Sequence, residues 1–207
     1  MPINKTYKAP FEHEVSFHVY NKSVYGQQLF YEDENYRYFL TLFYKYLGNL
    51  VDVRSWVLMP NHFHFHFRVK SYEKCVFDEK DLVLLGQKEK GINAVFVRRF
   101  KNFFISYSKA LKKRFSIKTN VFAQKFKHKK IFTDEQETNL MYYIHHNPLH
   151  HKLTDDWEHY KWSSYKRILD NSFEGLDIDF ILDWFGSIDI FRKSHLLNSE
   201  KYFEEFD

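Results

Sequence analysis

The sequence predicts an α+β sandwich in which helices pack on an antiparallel sheet. Short segments alternate apolar and polar residues with a period of two. Between them lie stretches whose apolar residues recur at three-and-four spacing, and Gly, Asn and Pro punctuate the joins. Strands separated by crossing helices fit helix layers on a sheet.

The elements follow in order. Glu14 to Tyr20 alternates and is β-rich, so it reads as strand 1. A polar turn runs through Lys22-Ser23-Val24-Tyr25-Gly26. Asp33 or Glu34 opens a helix carrying Tyr36, Phe39, Leu40, Phe43, Tyr44 and Leu47, and Gly48-Asn49 ends it. Val51 to Leu58 is strand 2, and Pro60, which cannot donate to a ladder, makes a tight break. His62 to Val69 is strand 3. Its strict alternation puts His62, His64, His66 and Arg68 on one face and Phe63, Phe65, Phe67 and Val69 on the other. Residues 71–92 read as a loop or insertion. Ala94 to Phe115 is a long basic helix, and Phe122 to Phe132 a further strand. Thr133 caps a helix that starts at Asp134 and stops at Asn147-Pro148. Short helical stretches follow near 178–186 and 188–206.

At 207 residues the chain suits one domain of ordinary size. Aromatics are 20% of it, with 23 Phe and 15 Tyr, which excludes a disordered chain. A single cysteine, Cys75, excludes a disulfide framework or a Cys-rich zinc site. No apolar run approaches the ~18 residues of a membrane span, and the start at Met1-Pro2-Ile3-Asn4-Lys5 lacks a signal-peptide core. A reducing cytoplasm is the expected location.

The net charge of +4 conceals a gradient. Residues 166–207 hold 10 Asp+Glu against 5 Lys+Arg, whereas residues 90–133 hold 13 Lys+Arg and no acid. A basic run is often only a solvated helix face. Interleaved with Phe and Tyr, it also suits a phosphate backbone with stacked bases.

Two constellations could carry chemistry. His62 and His64 project side by side, about 7 Å apart along the strand, and rotation can bring both ring nitrogens onto one divalent ion. A bare His-x-His is more often a row of half-exposed strand histidines. His66 continues that row as a ligand, a DNA contact or plain surface. In Tyr143-Ile144-His145-His146-Asn147-Pro148, positions 143, 146 and 147 share a helix face. Tyr143 there is either a nucleophile beside a metal ligand or a core residue, with Asn147 merely capping the helix.

The order of the motifs adds a resemblance. Phe17-His18-Val19-Tyr20-Asn21 precedes Trp56-Val57-Leu58-Met59-Pro60-Asn61-His62-Phe63-His64; then come Tyr143 to Pro148 and Lys161-Trp162-Ser163-Ser164-Tyr165. Over about residues 11–168 the chain resembles the single-tyrosine transposases of the HUH superfamily, most closely the REP-associated tyrosine transposases. The tail around Asp183-Trp184-Phe185-Gly186 is similar to the C-terminal extension of some members.

The resemblance implies a ferredoxin-like fold, with a catalytic domain over 1–168 and an acidic, helical extension over 169–207. It implies a divalent metal, Mg²⁺ or Mn²⁺, held by His62, His64 and Asn147, and Tyr143 as nucleophile. The family cleaves single-stranded DNA near hairpins, leaving a 5′-phosphotyrosine and a free 3′-OH, and the strands can later be rejoined. Such a protein works in the bacterial cytoplasm at the nucleoid, and the length after Tyr143 points to a monomer rather than a dimer. Arg98, Arg99, Lys101, Lys112, Lys113, Arg114 and Lys127 are the expected DNA contacts. The chain departs from relatives in the turn after strand 1, in His66 and over residues 71–92. Tyr142 is the fallback nucleophile, but it points about 100° away around the helix. Two rival readings are a domesticated hairpin-binding protein without catalysis, and a water-using metallohydrolase with His62, His64 and His66 as a zinc triad.

Overall fold

The computed structural model describes residues 9–87, 91–123, 126–198 and 206. Among them the order is β1 (Ser16–Lys22), α1 (Asp33–Leu47), β2 (Val51–Met59), β3 (His62–Val69), α2 (Glu79–Leu85), α3 (Gly91–Phe115), β4 (Lys127–Ile131), α4 (Asp134–His150), α5 (Tyr165–Leu169), α6 (Ile178–Phe185) and α7 (Ile188–Leu197). The sheet order is β2-β3-β1-β4, and each neighbouring pair is antiparallel. This is the ferredoxin-like arrangement, so the expected α+β class is the one the chain adopts.

The pleat of β3 sorts the two faces. Phe63, Phe65 and Phe67 are fully buried in the main core with Phe17 and Val19 of β1. Helix α1 starts where the Glu32 and Asn35 side chains form a reciprocal capping box, and Asp33 and Glu34 suit its positive end. Its Phe43 lies flat on Phe65, with ring centroids 3.9 Å apart. Helix α3 covers the same face through Phe96, Phe100, Phe103 and Tyr107, and Tyr107 Oη donates to the Leu29 carbonyl at 2.5 Å. The opposite face carries the histidines and is covered by α4, which packs across β2 and β3. A smaller apolar cluster forms there from Val57, Met59, Ile131, Leu140, Tyr143, Ile144 and Phe206.

Several boundaries differ from the sequence reading, for local reasons. Glu14 adopts a left-handed φ of 60°, so β1 begins only at Ser16. A bulge between Val53 and Ser55 lets both Val51/Val53 and Trp56/Leu58 serve the main core. Residues 71–92 are not featureless. Asp78 caps α2 by accepting from Asp81 N, and the buried Asp81 in turn accepts from Arg98 and Arg99 of α3. β4 is shorter than expected, and Phe122 makes only an isolated bridge to Ser23. α4 runs past Asn147 to His150 with Pro148 inside it. A proline there loses only a bond near the helix end, which His151 N→Asn147 O closes at 3.0 Å. The expected helix over 188–206 lies partly outside the described residues; its described part is α7.

The segment after α4 closes the outer edge of β2. Leu58 N donates to Trp162 O, Ser164 N to Trp56 O, and Asp177 N to Val53 O, at 2.7–2.9 Å. Tyr165, Ile168, Ile181 and Phe191 join the main core.

Truncating Phe43 to Ala should cost about 3–5 kcal/mol, because Phe65 loses the ring stacked on it. Urea unfolding followed by circular dichroism measures this, and a loss below about 1 kcal/mol would contradict the packing described.

A candidate histidine and tyrosine site

α4 crosses the histidine face so that the Tyr143 ring stands edge-on to His64, at 5.4 Å between centroids, and to His18, at 5.8 Å. His62 lies 5.5 Å from His64 and 4.4 Å from His151, at the end of α4. Tyr143, His64, His62 and His151 border one cavity of about 710 Å³, also lined by Tyr20, Lys22, Tyr25, Asn61, Lys127 and Phe206.

The hydrogen bonds assign the ring nitrogens. His62 Nδ1 donates to Asn61 Oδ1 at 2.6 Å, which leaves Nε2 with its lone pair. That Nε2 is buried with no hydrogen-bond partner. His64 Nδ1 is 2.8 Å from His18 Nε2, so Nε2 is the nitrogen His64 has left. Asn147 Nδ2 donates to Tyr143 O at 3.0 Å, while its Oδ1 is buried without a hydrogen-bond partner. The amide also acts on the His62 imidazole. Burial drives the His62 pKa down to about 3, aided by His151, and holds His64 well below its usual range, aided by His18 and His62. The unspent His62 Nε2 and Asn147 Oδ1, with His64 Nε2 once its Nδ1 carries the proton shared with His18, are a donor set that fits a divalent cation. The set has no carboxylate, and no cluster of three or more His, Cys, Asp or Glu suited to a metal occurs among the described residues.

His66 does not join this group. It is fully buried, its Nε2 stands 2.8 Å from Glu137 Oε1 on α4, and Arg54 pairs with the same carboxylate. A zinc triad of His62, His64 and His66 is therefore not assembled. His146 is turned toward Trp157, at 4.1 Å, and Tyr142 toward His195, at 4.7 Å.

The seven expected DNA contacts divide by face. Lys127 is exposed, lines the cavity and sits over the Tyr20 ring at 5.8 Å. Arg98, Arg99, Lys101, Lys112, Lys113 and Arg114 all stand on α3, the layer behind the sheet. There Arg98 and Arg99 are bound to Asp78 and Asp81, and Arg114 pairs with Glu32. The fold does not bring these six to the histidine pair.

Sequence reasoning missed His18, Asn61 and His151. The signal for His18 was its place in the alternation of strand 1, but its contact with His64 depends on the β1–β3 register. A second buried chain also went unread. His195 Nδ1 donates to Phe191 O, His145 Nδ1 to His195 Nε2, and Ser164 Oγ to His145 Nε2, each at 2.8 Å. It joins the Tyr-Ile-His and Trp-Ser-Ser motifs and locks α7 onto them.

The fold is similar to that of a solved REP-associated tyrosine transposase bound to a REP hairpin, with a TM-score of 0.56 and 14% identity over 79% of this chain and 84% of the other. A bacterial tRNA(His) guanylyltransferase-like protein in complex with ATP aligns at a TM-score of 0.41 and 9% identity, over 86% of this chain and 72% of that one. No protein-family model and no curated protein matches the sequence. Among the described residues no helix is long and apolar enough to cross a membrane.

The buried imidazoles make stability depend on pH. Burial lowers His195 and His62 to about 3 and His146 to about 4, whereas unfolded histidines titrate near 6.5. The unfolded chain therefore binds more protons. The stabilisation is complete above about pH 6.5 and drains as pH falls toward the folded values. The urea midpoint of chelator-treated protein should fall steadily from about pH 7.5 to about pH 5; a flat profile would contradict neutral burial.

Proposed function

We propose that the chain is a metal-dependent endonuclease and strand transferase for single-stranded DNA beside a hairpin, acting through Tyr143. The observation that carries this is the Tyr143 ring against His64, in one cavity with His62 and its unspent Nε2, while Asn147, one turn further along α4, keeps a buried amide oxygen without a hydrogen-bond partner. The fold likeness to a hairpin-bound transposase and the order of the motifs support the same reading.

His62, His64 and Asn147 would hold Mg²⁺ or Mn²⁺. When bound, the ion polarises the scissile phosphate and offsets the charge that develops on it. Tyr143 Oη forms the new P–O bond as the P–O3′ bond breaks, and the phenol proton ends on the 3′-oxygen. The product is a 5′-phosphotyrosine and a free 3′-OH, so a phosphodiester's energy is conserved for rejoining. Lys22 and Lys127 border the same cavity and would neutralise flanking phosphates. We assign this role to residues 1–168 and treat 169–207 as an acidic extension.

His18 has a positioning role in this scheme. For His64 Nε2 to keep its lone pair, the proton of that ring must sit on Nδ1 and be donated to His18 Nε2. His18→Ala should therefore weaken Mn²⁺ binding, read by electron paramagnetic resonance titration, by about 10–100-fold. Undiminished affinity would remove His18 from the scheme.

A second reading is DNA binding without turnover. It draws on Phe206, which packs 5.3 Å from the Tyr143 ring and lines the cavity. One experiment separates the two. Wild-type protein given a labelled hairpin oligonucleotide with a single-stranded flank and Mn²⁺ should form a denaturant-resistant adduct, and Tyr143→Phe should form none. An adduct retained in the variant excludes Tyr143. Binding without cleavage by the wild type, under either metal, selects the second reading.

A further inference from the structure

We propose that Tyr25 is a stacking platform for an unpaired nucleobase of the strand that enters the cavity. This rests on the single-stranded DNA reading above and adds a subsite to it. Tyr25 is 99% exposed, in a protein that buries most of its large aromatic residues. It also holds a left-handed backbone, with φ 53° and ψ 29°, a conformation that disfavours bulky side chains. Gly26 follows at φ 70°, where no side chain is needed.

The turn that carries this strained residue is pinned on both sides. Ser23 N donates to Asn61 O at 2.8 Å, next to His62. Val24 N donates to Val121 O at 3.1 Å, and Ala123 N to Lys22 O at 3.0 Å. Gln27 Nε2 donates to Asn120 O at 2.7 Å. The ring is therefore held outward on a braced support, and it borders the cavity that His62, His64 and Tyr143 line, together with Lys22 and Lys127. An exposed aromatic face on a cavity that two lysines also line matches one chemistry, a base with its neighbouring phosphates. A paired base is already stacked above and below, so the platform selects for an unpaired one.

The test is fluorescence anisotropy in EDTA, with cleavage suppressed, on a hairpin oligonucleotide with a single-stranded flank and on the same hairpin without it. Tyr25→Ala should bind the flanked hairpin about 5- to 100-fold more weakly and the bare hairpin unchanged, while Tyr25→Phe keeps wild-type affinity. Tyr25→Gly suits the left-handed backbone and should show the same loss while melting no lower than wild type, which separates stacking from folding. An abasic flank should reduce wild-type binding and abolish the difference from Tyr25→Ala. Equal affinities for wild type and Tyr25→Ala, or equal losses on both hairpins, overturn the platform alone. Failure of the wild type to bind either DNA overturns the parent reading with it.

Discussion

Strand β3 allows its side chains only two directions, and the rest of the molecule is arranged around that restriction. Its phenylalanines bury against α1 and α3, at roughly 1.5–3 kcal/mol for each large apolar side chain. A slip of one residue would turn every phenylalanine outward and every imidazole inward, so the register is held by the core. The histidines are thereby confined to the other face. That face is covered by a helix whose own apolar residues, Leu140, Tyr143 and Ile144, pack on Val57 and Met59. Packing brings the phenol to the imidazoles, and the hydrogen bonds then set what each ring can do.

The second layer of the site is as informative as the first. Asn61 orients His62, and His18 meets His64, so each imidazole has one nitrogen engaged in the protein. Both rings are kept neutral by burial. A cation held by neutral donors retains its full charge, which favours an anionic ligand such as a phosphodiester over a carboxylate-rich protein cage. The buried Arg54–Glu137 pair, with His66 beside it, anchors the first turns of α4, and the Ser164–His145–His195 chain anchors its far half. Between those two anchors lies Tyr143.

Much of this was legible in the sequence because it is periodic. The limits of β3 follow from strict alternation, and α1 follows from apolar spacing with a clear stop at Gly48. What escaped was set by tertiary geometry. The seven-residue α2 is too short for a helical period to declare itself, and its cap is completed by arginines of another helix. The bulge in β2 breaks the alternation on which strand reading depends. Charge density revealed a basic segment but not its side of the sheet: strand order decides that α3 lies behind it and Lys127 in front. His18 and Tyr25 looked ordinary in the chain. One gains its role through register, the other through a backbone conformation that no local pattern announces.

The proposed convergence of the two imidazoles and the phenol on one cation and one phosphate is open to direct observation. A crystal soaked in Mn²⁺ with a hairpin oligonucleotide, and measured for anomalous scattering, should show a peak about 2 Å from both His62 Nε2 and His64 Nε2. The Tyr143 oxygen should face the phosphate bound there. Manganese found only elsewhere, or seated on the pair with Tyr143 turned away from the DNA, would contradict the account.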